Sequence, residues 1–535
     1  MQYARQFSLR QTPQSQAIPD STQVPNSAGG YAYALDDWQR LHRFLILGAE
    51  GNTYYATSEK LTIENATAVL RCIKVDGKRV VGEVVAVSEG GRAPKNDAAI
   101  FVLALCASKG DDETRAYALA RLDRVCRIGT HLFMFAGAVE EMRGWGRGLR
   151  RAVAKWYTDK EPTALAYQVI KYRQRNGWSH RDLLRLAHPQ PGLQPEGQKE
   201  LFHWIVKGER PVDTLISPLP DLVAAFEEAQ ATDDKKRLLA LIRDHDLPRE
   251  AIPTRWLTDA QVWEALLAHM PIEAMVRNLG NMTKIGLLAG MSEATRRVVT
   301  QLGDAAHIRR SRLHPIKLLA ALTTYASGHG SRGSGEWEPV SQVIDALDEG
   351  FYLAFANVAP TNKRYVLALD VSGSMTSGNI AGVPGLTPRA ASAALAMVTM
   401  RTERSYETVG FTGDQRTVEG TAISRIPISP RQRLDDVVKA IDALRYGATD
   451  CALPMLWALE HKVEADVFVI LTDSESWIGD IHASQALERY RQKTGIAARA
   501  ICVGMVANEY SVLDPTDPLS LNVAGFDTAV PQLMS

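Results

Sequence analysis

The stretch RYVLALDVSGSM (364–375) is an unbroken apolar run that ends in an aspartate and continues into a polar turn. A short apolar run bounded by turn residues is typical of a strand that is buried on both faces. Similar runs occur at DVFVILTD (466–473) and ARAICVG (498–504), with amphipathic segments between them. Further elements are predicted as a strand at 407–413 and helices at 387–403, 433–444, 451–461 and 482–493. Strands alternating with helices predict a doubly wound α/β domain over residues 361–535.

The sequence before residue 360 has a different pattern, in which apolar residues recur three and four positions apart between short polar breaks. Helices are predicted at 97–108, 114–126, 130–142, 163–173, 179–188, 222–230, 261–269 and 340–358. Ser179 with Asp182, and Thr258 with Gln261, stand at the spacing of a capping box. We therefore predict an all-α array of degenerate helical repeats over residues 21–360.

Two segments depart from this pattern. The segment at 61–88 and its flanks is rich in β-branched residues, with the sequence LTIENATAVLRCIKVDGKRVVGEVVAVSE. It also contains Asp76-Gly77, which favours a small hairpin inserted in the array. Residues 1–30 are polar and rich in Gln, Ser, Pro and Gly. They predict an extended or partly disordered segment, of which residues 1–20 form a separate N-terminal arm.

Composition excludes several classes of protein. The 535 residues are 45% hydrophobic and 23% charged, so the chain can bury ordinary globular cores. Lys plus Arg and Asp plus Glu both number 61, which excludes a uniformly basic nucleic-acid packaging protein. The five cysteines are far apart, so no disulfide framework is expected. With neither a signal-peptide core nor a long apolar run, we expect a cytoplasmic protein without a membrane span.

Oxygen-bearing side chains follow the first predicted strand. Asp370, Ser372 and Ser374 alternate, so an extended segment directs them to one point. Thr449 precedes a predicted helix, and Asp473 ends a second strand. Carboxylates and hydroxyls suit Mg²⁺ better than zinc. The sequence contains no glycine-rich nucleotide loop and no GxSxG elbow. The alternative to a metal site is that these residues form only a turn with polar caps.

A strong local charge lies in the helical region, where residues 114–188 contain 15 Lys and Arg against six Asp and Glu, a net charge of +9. Its densest part, 171–189, carries Lys171, Arg173, Arg175, His180 and His188 with interleaved aromatic residues. Cations neutralise phosphates and flat rings stack on unpaired bases. Lys171 and Arg175 are four apart and are expected on one helical face. The alternatives are a solvated helix face and, for His188, a helix C-terminal cap.

A second polar surface is indicated at 251–286, where Arg277, Asn278 and Lys284 follow a predicted helix. Capping and hydrogen bonding between repeats is an equally good interpretation of that composition.

The order DxSxS, Thr, Asp resembles the metal-ion-dependent adhesion site of von Willebrand factor A domains, and all five positions are present. The resemblance implies that Ser372, Ser374 and Thr449 ligate the ion directly. Asp370 and Asp473 would act mainly through waters and leave one position open for an acidic partner.

KYRQRNGWSHRDLLRLAHP (171–189), together with IPTRWL, MVRNLGNMT and DVSGSM, resembles the Ro 60-kDa autoantigen family over about residues 20–535. This resemblance implies a monomeric, bacterial-type protein whose TROVE module is a HEAT-like helical ring joined to a von Willebrand A domain. It implies that a Y RNA contacts Lys171, Arg175, His180 and His188 on the outer surface. Single-stranded 3′ ends of misfolded or precursor RNAs would enter the hole, where Arg277, Asn278 and Lys284 are candidate lining residues. Bacterial relatives are linked to exoribonucleases, which implies such a partner.

The leading hypothesis is therefore a non-enzymatic RNA-binding protein that acts in RNA quality control or maturation. The alternative is a metal-dependent protein-interaction scaffold. Such a scaffold does not require a segment with a net charge of +9 and interleaved aromatic residues. A metal-dependent nuclease is disfavoured, because a hydroxyl-rich site for one ion does not present two ions to an in-line displacement.

Overall fold

A computed structural model describes residues 11–48, 58–189, 197–208, 219–330, 335–355, 359–380, 383, 386–413, 421–444 and 447–530. The first ten residues of the predicted arm and the last three of the predicted helix 340–358 lie outside these ranges. Within them, no helix combines the length and the apolar character needed to cross a lipid bilayer.

Helices dominate the chain from residue 37 to residue 353, as predicted. They are Asp37–Leu47 (α1), Ser58–Gly90 (α2), Asp97–Lys109 (α3), Asp112–Leu119 (α4), Leu122–Val125 (α5), Gly129–Arg143 (α6), Arg147–Thr158 (α7), Pro162–Lys171 (α8), His180–Ala187 (α9), Gln198–Lys207 (α10), Asp221–Ala231 (α11), Lys235–His245 (α12), Ala260–Leu267 (α13), Ile272–Lys284 (α14), Glu293–Gly303 (α15), Ala305–Ser311 (α16), Pro315–Ala326 (α17) and Ser341–Leu353 (α18).

Side-chain caps fix several of these helix starts. Ser179 and Asp182 form the predicted capping box before α9. The other predicted box is wrong, because Asp259 rather than Thr258 caps α13 by accepting from the Gln261 backbone N–H at 2.8 Å. The predicted helix 114–126 is divided, since Asp111 caps α4 and a break at Ala120–Arg121 precedes the short α5.

The predicted hairpin in 61–88 is also wrong, because this segment belongs to the long helix α2. Asp76 has non-helical backbone angles (φ −156°, ψ 87°), so the Asp-Gly pair marks a kink rather than a turn. The β-branched residues Val80, Val81 and Val84 are fully buried against neighbouring helices. Burial of these side chains outweighs the modest helix penalty of β-branching.

The first and last parts of the helical array meet. His314 Nε2, just before α17, lies 3.1 Å from the carbonyl oxygen of Arg92, which follows α2. The side chain of Arg312 packs against Gly91 at the same seam. These contacts join residues more than 200 positions apart, so the helices form a closed array rather than an open solenoid.

The C-terminal domain is the predicted doubly wound sheet. Its strands are Arg364–Asp370 (β5), Ser405–Phe411 (β6), Ile423–Arg425 (β7), Val467–Thr472 (β8), Arg499–Gly504 (β9) and Ser520–Ala524 (β11), in the order β11-β9-β8-β5-β6-β7. Its helices are Pro388–Thr402 (α19), Leu434–Asp442 (α20), Leu453–Glu460 (α21) and Ala483–Thr494 (α22). All neighbouring strands are parallel except β6 and β7.

The central strand β5 is apolar between Arg364 and Asp370 because both of its faces are covered. Leu367 and Leu369 contribute to the core that continues into the helical array. Val366 and Ala368 contribute to the core formed with α21 and α22. On the face of the sheet that adjoins the helical array, Asp348 of α18 accepts hydrogen bonds from Arg401 of α19 at 3.1 Å and from the backbone N–H of Leu434 at 2.7 Å. These hydrogen bonds attach the domain to the array.

The N-terminal segment is not a free arm over the part that the structure describes. Strands Gln23–Pro25 (β1) and Tyr31–Ala34 (β2) form a small antiparallel sheet with Tyr510–Ser511 (β10) of the C-terminal domain. Residues 11–34 are extended as predicted, but they are packed on that domain. Long-range hydrogen bonds hold them there, and no local pattern in the sequence marks such bonds.

Candidate metal site and nucleic-acid interface

The five predicted metal ligands come from three segments at the carboxyl edge of the sheet. Asp370 ends β5, and its Oδ1 accepts from the backbone N–H of Ser372 at 2.9 Å. This turn brings the hydroxyl oxygens of Ser372 and Ser374 to 3.1 Å from each other. The side chains of Asp370, Ser372 and Ser374 are buried.

The other two ligands lie beside this turn. Asp473 follows β8, and its carboxylate accepts a hydrogen bond from the side chain of Ser374. Thr449 is buried in a loop that contacts the same turn, because the backbone N–H of Gly373 donates to the Gly447 carbonyl at 3.0 Å. The structure therefore brings together the candidate residues that the sequence predicted for metal binding.

The electrostatics of this cluster suit a hard divalent cation. Burial, and secondarily the nearby charge of Asp473, raises the pKa of Asp370 to about 7. Burial likewise raises the pKa of Asp473. Two buried carboxylates with three neighbouring hydroxyls are an all-oxygen donor set of the kind that Mg²⁺ accepts. No cluster of three or more His, Cys, Asp or Glu able to hold a metal occurs in the described ranges, so a site here depends on the hydroxyls.

Residues that sequence reasoning missed surround the metal loops. Gln14, in the N-terminal segment, is 2% exposed. Its amide donates to Asp450 Oδ1 at 2.5 Å and to the Ile481 carbonyl at 2.9 Å, and it accepts from the hydroxyl of Ser476. Asp450 directly follows the candidate ligand Thr449. The N-terminal segment is thus hydrogen-bonded to the loops that contain the candidate ligands Thr449 and Asp473.

A second contact of the same kind involves Glu475, two residues after Asp473. Its carboxylate accepts from the backbone N–H of Ser27 at 2.9 Å. Burial, followed by the nearby charge of Asp473, raises the pKa of Glu475 to about 7. Nothing in the local sequence around Ser27 indicates this contact, because its partner lies 448 residues away.

The basic segment 171–189 contains the end of α8, a short hairpin and helix α9. Helix α8 ends at Lys171, and Gln174–Arg175 (β3) pairs with Trp178–Ser179 (β4). Asn176 (φ 51°) and Gly177 (φ 77°) form the two-residue turn. The prediction that Lys171 and Arg175 share a helical face is therefore wrong, although the Asn-Gly pair is a strong hairpin signal.

One side of the hairpin packs against the protein, and the other side is exposed to solvent. Trp178 packs on Trp145, with ring centroids 5.8 Å apart, while Arg173 and Arg175 are exposed. Lys171 is half-buried, and its Nζ lies 3.1 Å from the hydroxyl of Tyr167. The fold therefore presents the loop cations to solvent on a rigid support.

His180 is the exception among the predicted RNA-contacting residues of this segment. It is 2% exposed, and its Nδ1 lies 2.8 Å from the hydroxyl of Tyr157. Burial lowers its pKa to about 3, so the imidazole is neutral at physiological pH. The structure thus places His180 beneath the surface, where it joins α9 to α7, and it corrects our expectation of a surface residue. His188 is exposed and, at φ 47°, also forms the left-handed C-cap of α9.

Helices α7 and α9 pack against each other, and α9 also contacts strand β4 of the hairpin. Six arginines of these three elements are exposed, and none forms an ion pair with another described residue; they are Arg147, Arg150, Arg151, Arg175, Arg181 and Arg185. We call these six residues the unpaired arginine set. By contrast, Arg124 and Arg237 elsewhere in the array are held by Glu89 and Glu228. Much of the local excess of positive charge is thus exposed and not paired with a carboxylate of the described residues.

The second predicted group lies on one helix. Arg277 and Lys284 of α14 are exposed, while Asn278 is half-buried and donates to the Ala274 carbonyl at 2.7 Å. Asn278 and Lys171 line the same small cavity, of about 30 Å³. The two predicted groups are therefore neighbours in the fold, although more than 100 residues separate them.

The chain thus combines a closed helical array with a von Willebrand A-type domain whose sheet edge carries the candidate metal-binding residues. Family models agree with this architecture: the TROVE domain matches residues 24–324 and the Ro60 vWA domain matches residues 364–535. The chain belongs to the Ro60 family.

Individual relatives match over nearly the full length. The chain is 39% identical over 526 residues to the RNA-binding protein RO60 of Deinococcus radiodurans, covering 98% of this chain and 96% of that protein. It is 36% identical over 600 residues to the RNA-binding protein RO60 of Caenorhabditis elegans, covering 98% and 91%. The crystal structure of the Deinococcus radiodurans RO (RSR) protein superposes with a TM-score of 0.69 at 38% identity, covering 93% of this chain and 98% of that one. The predicted fold class is confirmed.

Proposed function

We propose that this protein binds RNA and is the protein core of a small ribonucleoprotein that contains a non-coding Y RNA. The observation that carries the proposal is the unpaired arginine set, whose members are exposed on α7, on α9 and on the hairpin between α8 and α9. Guanidinium groups without carboxylate partners are available to phosphates, and each contact gains affinity by releasing a counterion. The names of the relatives, which are RNA-binding proteins, support this assignment.

The decisive test is the salt dependence of RNA affinity. We expect the double variant Lys171→Ala with Arg175→Ala to bind Y RNA more weakly and with a smaller salt slope, by roughly one unit or less per lost phosphate contact. The matched control is Arg237→Ala, because the Arg237 side chain is held by Glu228. An unchanged slope in the double variant would show that these cations touch no phosphate.

His188 has a separate role in this proposal. An exposed imidazole beside the hairpin stacks on a base or donates a hydrogen bond, and it releases no counterion while it is neutral. We expect His188→Ser to weaken Y-RNA binding with little change in the salt slope. A slope reduced as much as in the arginine variant would assign His188 to a phosphate instead.

We further propose that the protein engages single-stranded 3′ ends of misfolded or precursor RNAs, with Arg277, Asn278 and Lys284 along their path. An opening of about one helix diameter, roughly 10–12 Å, admits a single strand but not an A-form duplex. The test is competition between two RNAs with the same helix, one blunt and one with a 3′ tail. Equal affinity at moderate salt would remove this part of the proposal.

For the C-terminal domain we propose Mg²⁺ at Asp370, Ser372, Ser374, Thr449 and Asp473. A bound ion would supply a coordination position for an acidic group of a protein partner, and an exoribonuclease is the class of partner we propose. Asp370→Ala should abolish Mg²⁺ binding in calorimetry and leave Y-RNA affinity intact. If Mg²⁺ affinity and Y-RNA affinity both fell in this variant, the metal site and the RNA-binding surface would not be independent.

Within this proposal the protein binds RNA and does not cleave it. Incubation of labelled RNA with the pure protein and Mg²⁺ should leave the RNA intact, and metal-dependent cleavage would contradict the assignment. The alternative function, a metal-dependent protein-interaction scaffold, predicts Mg²⁺-dependent capture of proteins by a chain that does not bind RNA.

A further inference from the structure

Glu273 is an acidic residue between Arg277, which belongs to the second predicted RNA-contacting group, and Lys317. Its Oε1 lies 2.9 Å from Lys317 Nζ, on α17, and 2.5 Å from Arg277 Nη2, on its own helix α14. Burial raises the pKa of this carboxyl group, but Lys317 and Arg277 more than offset that effect, so its pKa lies below the ordinary value. Glu273 is therefore a carboxylate at neutral pH and neutralises both neighbours.

The surroundings of Glu273 connect it to the hairpin. Its charge acts on Tyr172, which follows Lys171, and on His131 of α6. Burial, followed by the charges of Arg127 and Lys317, lowers the pKa of His131 to about 4, so this imidazole adds no positive charge at neutral pH. Lys284, on the same helix as Glu273, is exposed and has no ion-pair partner among the described residues. One carboxylate thus decides whether two of the nearby cations are available.

We propose that Glu273 occupies, in the RNA-free protein, the position that an RNA phosphate takes on binding. The inference rests on the proposed RNA-binding function. A phosphate reaching Lys317 or Arg277 must share or displace the carboxylate, which keeps these cations from binding every polyanion. Glu273 would thereby lower the affinity for RNAs that offer only backbone charge, and favour RNAs that make additional contacts at the hairpin.

The proposal is tested by Glu273→Gln, which keeps the size of the side chain and removes its charge. A freed cation that contacts a single strand adds about 0.7 to the magnitude of the salt slope and about fourfold to the affinity at 0.15 M salt. We expect binding of a short oligouridylate to tighten by about fourfold or more, with a steeper slope. The matched control is Glu228→Gln, which breaks the exposed pair with Arg237 and should change neither quantity.

A third variant separates this inference from the proposed function. Lys317→Ala should weaken oligouridylate binding if RNA passes this point, whatever Glu273 does. Weaker binding in Lys317→Ala with unchanged or weaker binding in Glu273→Gln would overturn the role of Glu273 alone. Unchanged binding in both variants would remove this surface from the RNA path. If Glu273 only stabilised the fold, Glu273→Gln would lower the melting temperature without steepening the salt slope.

Discussion

His314 is a fully buried imidazole whose protonation opposes folding. Its Nδ1 accepts from the Ile316 backbone N–H at 3.1 Å, so the proton is on Nε2, which faces the carbonyl oxygens of Arg92 and Phe526 at 3.1 and 2.9 Å. Burial, the largest effect, lowers the pKa of His314 to about 3 from an ordinary value of 6.5. Below pH 6.5 the His314 side chain binds a proton in the unfolded chain but stays neutral in the folded chain.

Stability from this residue is therefore complete above pH 6.5 and is lost as the pH falls from 6.5 towards 3. At pH 5 the unfolding free energy lost through His314 amounts to about 2 kcal/mol. We expect His314→Gln to have a smaller loss of unfolding free energy between pH 8 and pH 5 than the unaltered protein, measured by urea titration. The exposed His203→Gln serves as control and should retain the full loss. Equal losses in all three proteins would contradict the assignment.

The proximity of the candidate metal-binding residues could be predicted from the sequence, because DxSxS is a local pattern at the end of a recognisable strand. The candidate RNA-contacting residues could be located as a group but not in their geometry. His180 belongs to the same basic segment as Arg175, yet it is buried, because its contacts with Tyr157 and Phe133 come from other helices. Composition indicates charge on a segment, whereas tertiary packing decides which side chain faces water.

At the scale of the element, the hairpin at 174–179 depends on one backbone conformation. Gly177 has φ 77° and nothing within 4 Å of the position that a Cβ would take. Alanine at this position meets no clash, but the left-handed conformation costs it about 1 kcal/mol. We expect Gly177→Ala to weaken Y-RNA binding severalfold without lowering the melting temperature of the whole protein.

The control is Gly82→Ala, at an exposed position inside α2 with equally open surroundings. It should leave RNA binding unchanged, because alanine favours the helix. If Gly177→Ala bound RNA normally, the hairpin conformation would not be required for binding.

The N-terminal segment makes the second prediction at this scale. Gln14→Ala removes the hydrogen bonds to Asp450, Ile481 and Ser476 and loosens the loop that contains Thr449. Residues that orient metal ligands affect metal affinity by about 10- to 100-fold. We expect a loss of at least about tenfold in Mg²⁺ affinity by calorimetry, whereas Gln16→Ala, an exposed neighbour, should bind Mg²⁺ normally. Equal affinities would show that the segment packs on the domain without shaping its metal site.

Elements with strong periodicity were predictable, and those fixed by distant partners were not. Helix α3 and strand β5 are apolar between their end residues, and they begin and end close to their predicted limits. Helix α2 was missed because its valines are buried by other helices, which outweighs their preference for strands. Strands β1 and β2 were missed because β10, which completes their sheet, lies more than 470 residues further along the chain.

At the scale of the whole molecule, the ion pair between Arg92 and Asp527 is one of several that join the closed array to the C-terminal domain. Arg92 contacts Asp527 through both Nε and Nη2, at 2.9 and 2.5 Å, and Asp527 is 1% exposed. Removing one partner of such a pair leaves a buried charge and costs about 3–5 kcal/mol. We expect Arg92→Met to lower the unfolding free energy by about this amount and to expose the seam to limited proteolysis.

The double variant Arg92→Met with Asp527→Asn should be less destabilised than the sum of the two single variants, because it leaves no unpaired charge. Urea titration of the four proteins gives the coupling energy. Additive effects would mean that the pair does not hold the two parts together.

The pairing of β2 with β10 has a consequence for synthesis of the chain on the ribosome. Residues 31–34 are translated more than 470 residues before their partners at 510–511. At about 5–20 residues per second, the early strand waits on the order of 25–95 s for its partner. During that interval the first strands and the seam at Arg92 remain without the surfaces that complete them. Nascent chains stalled before residue 510 should therefore bind chaperones that released, full-length chains do not.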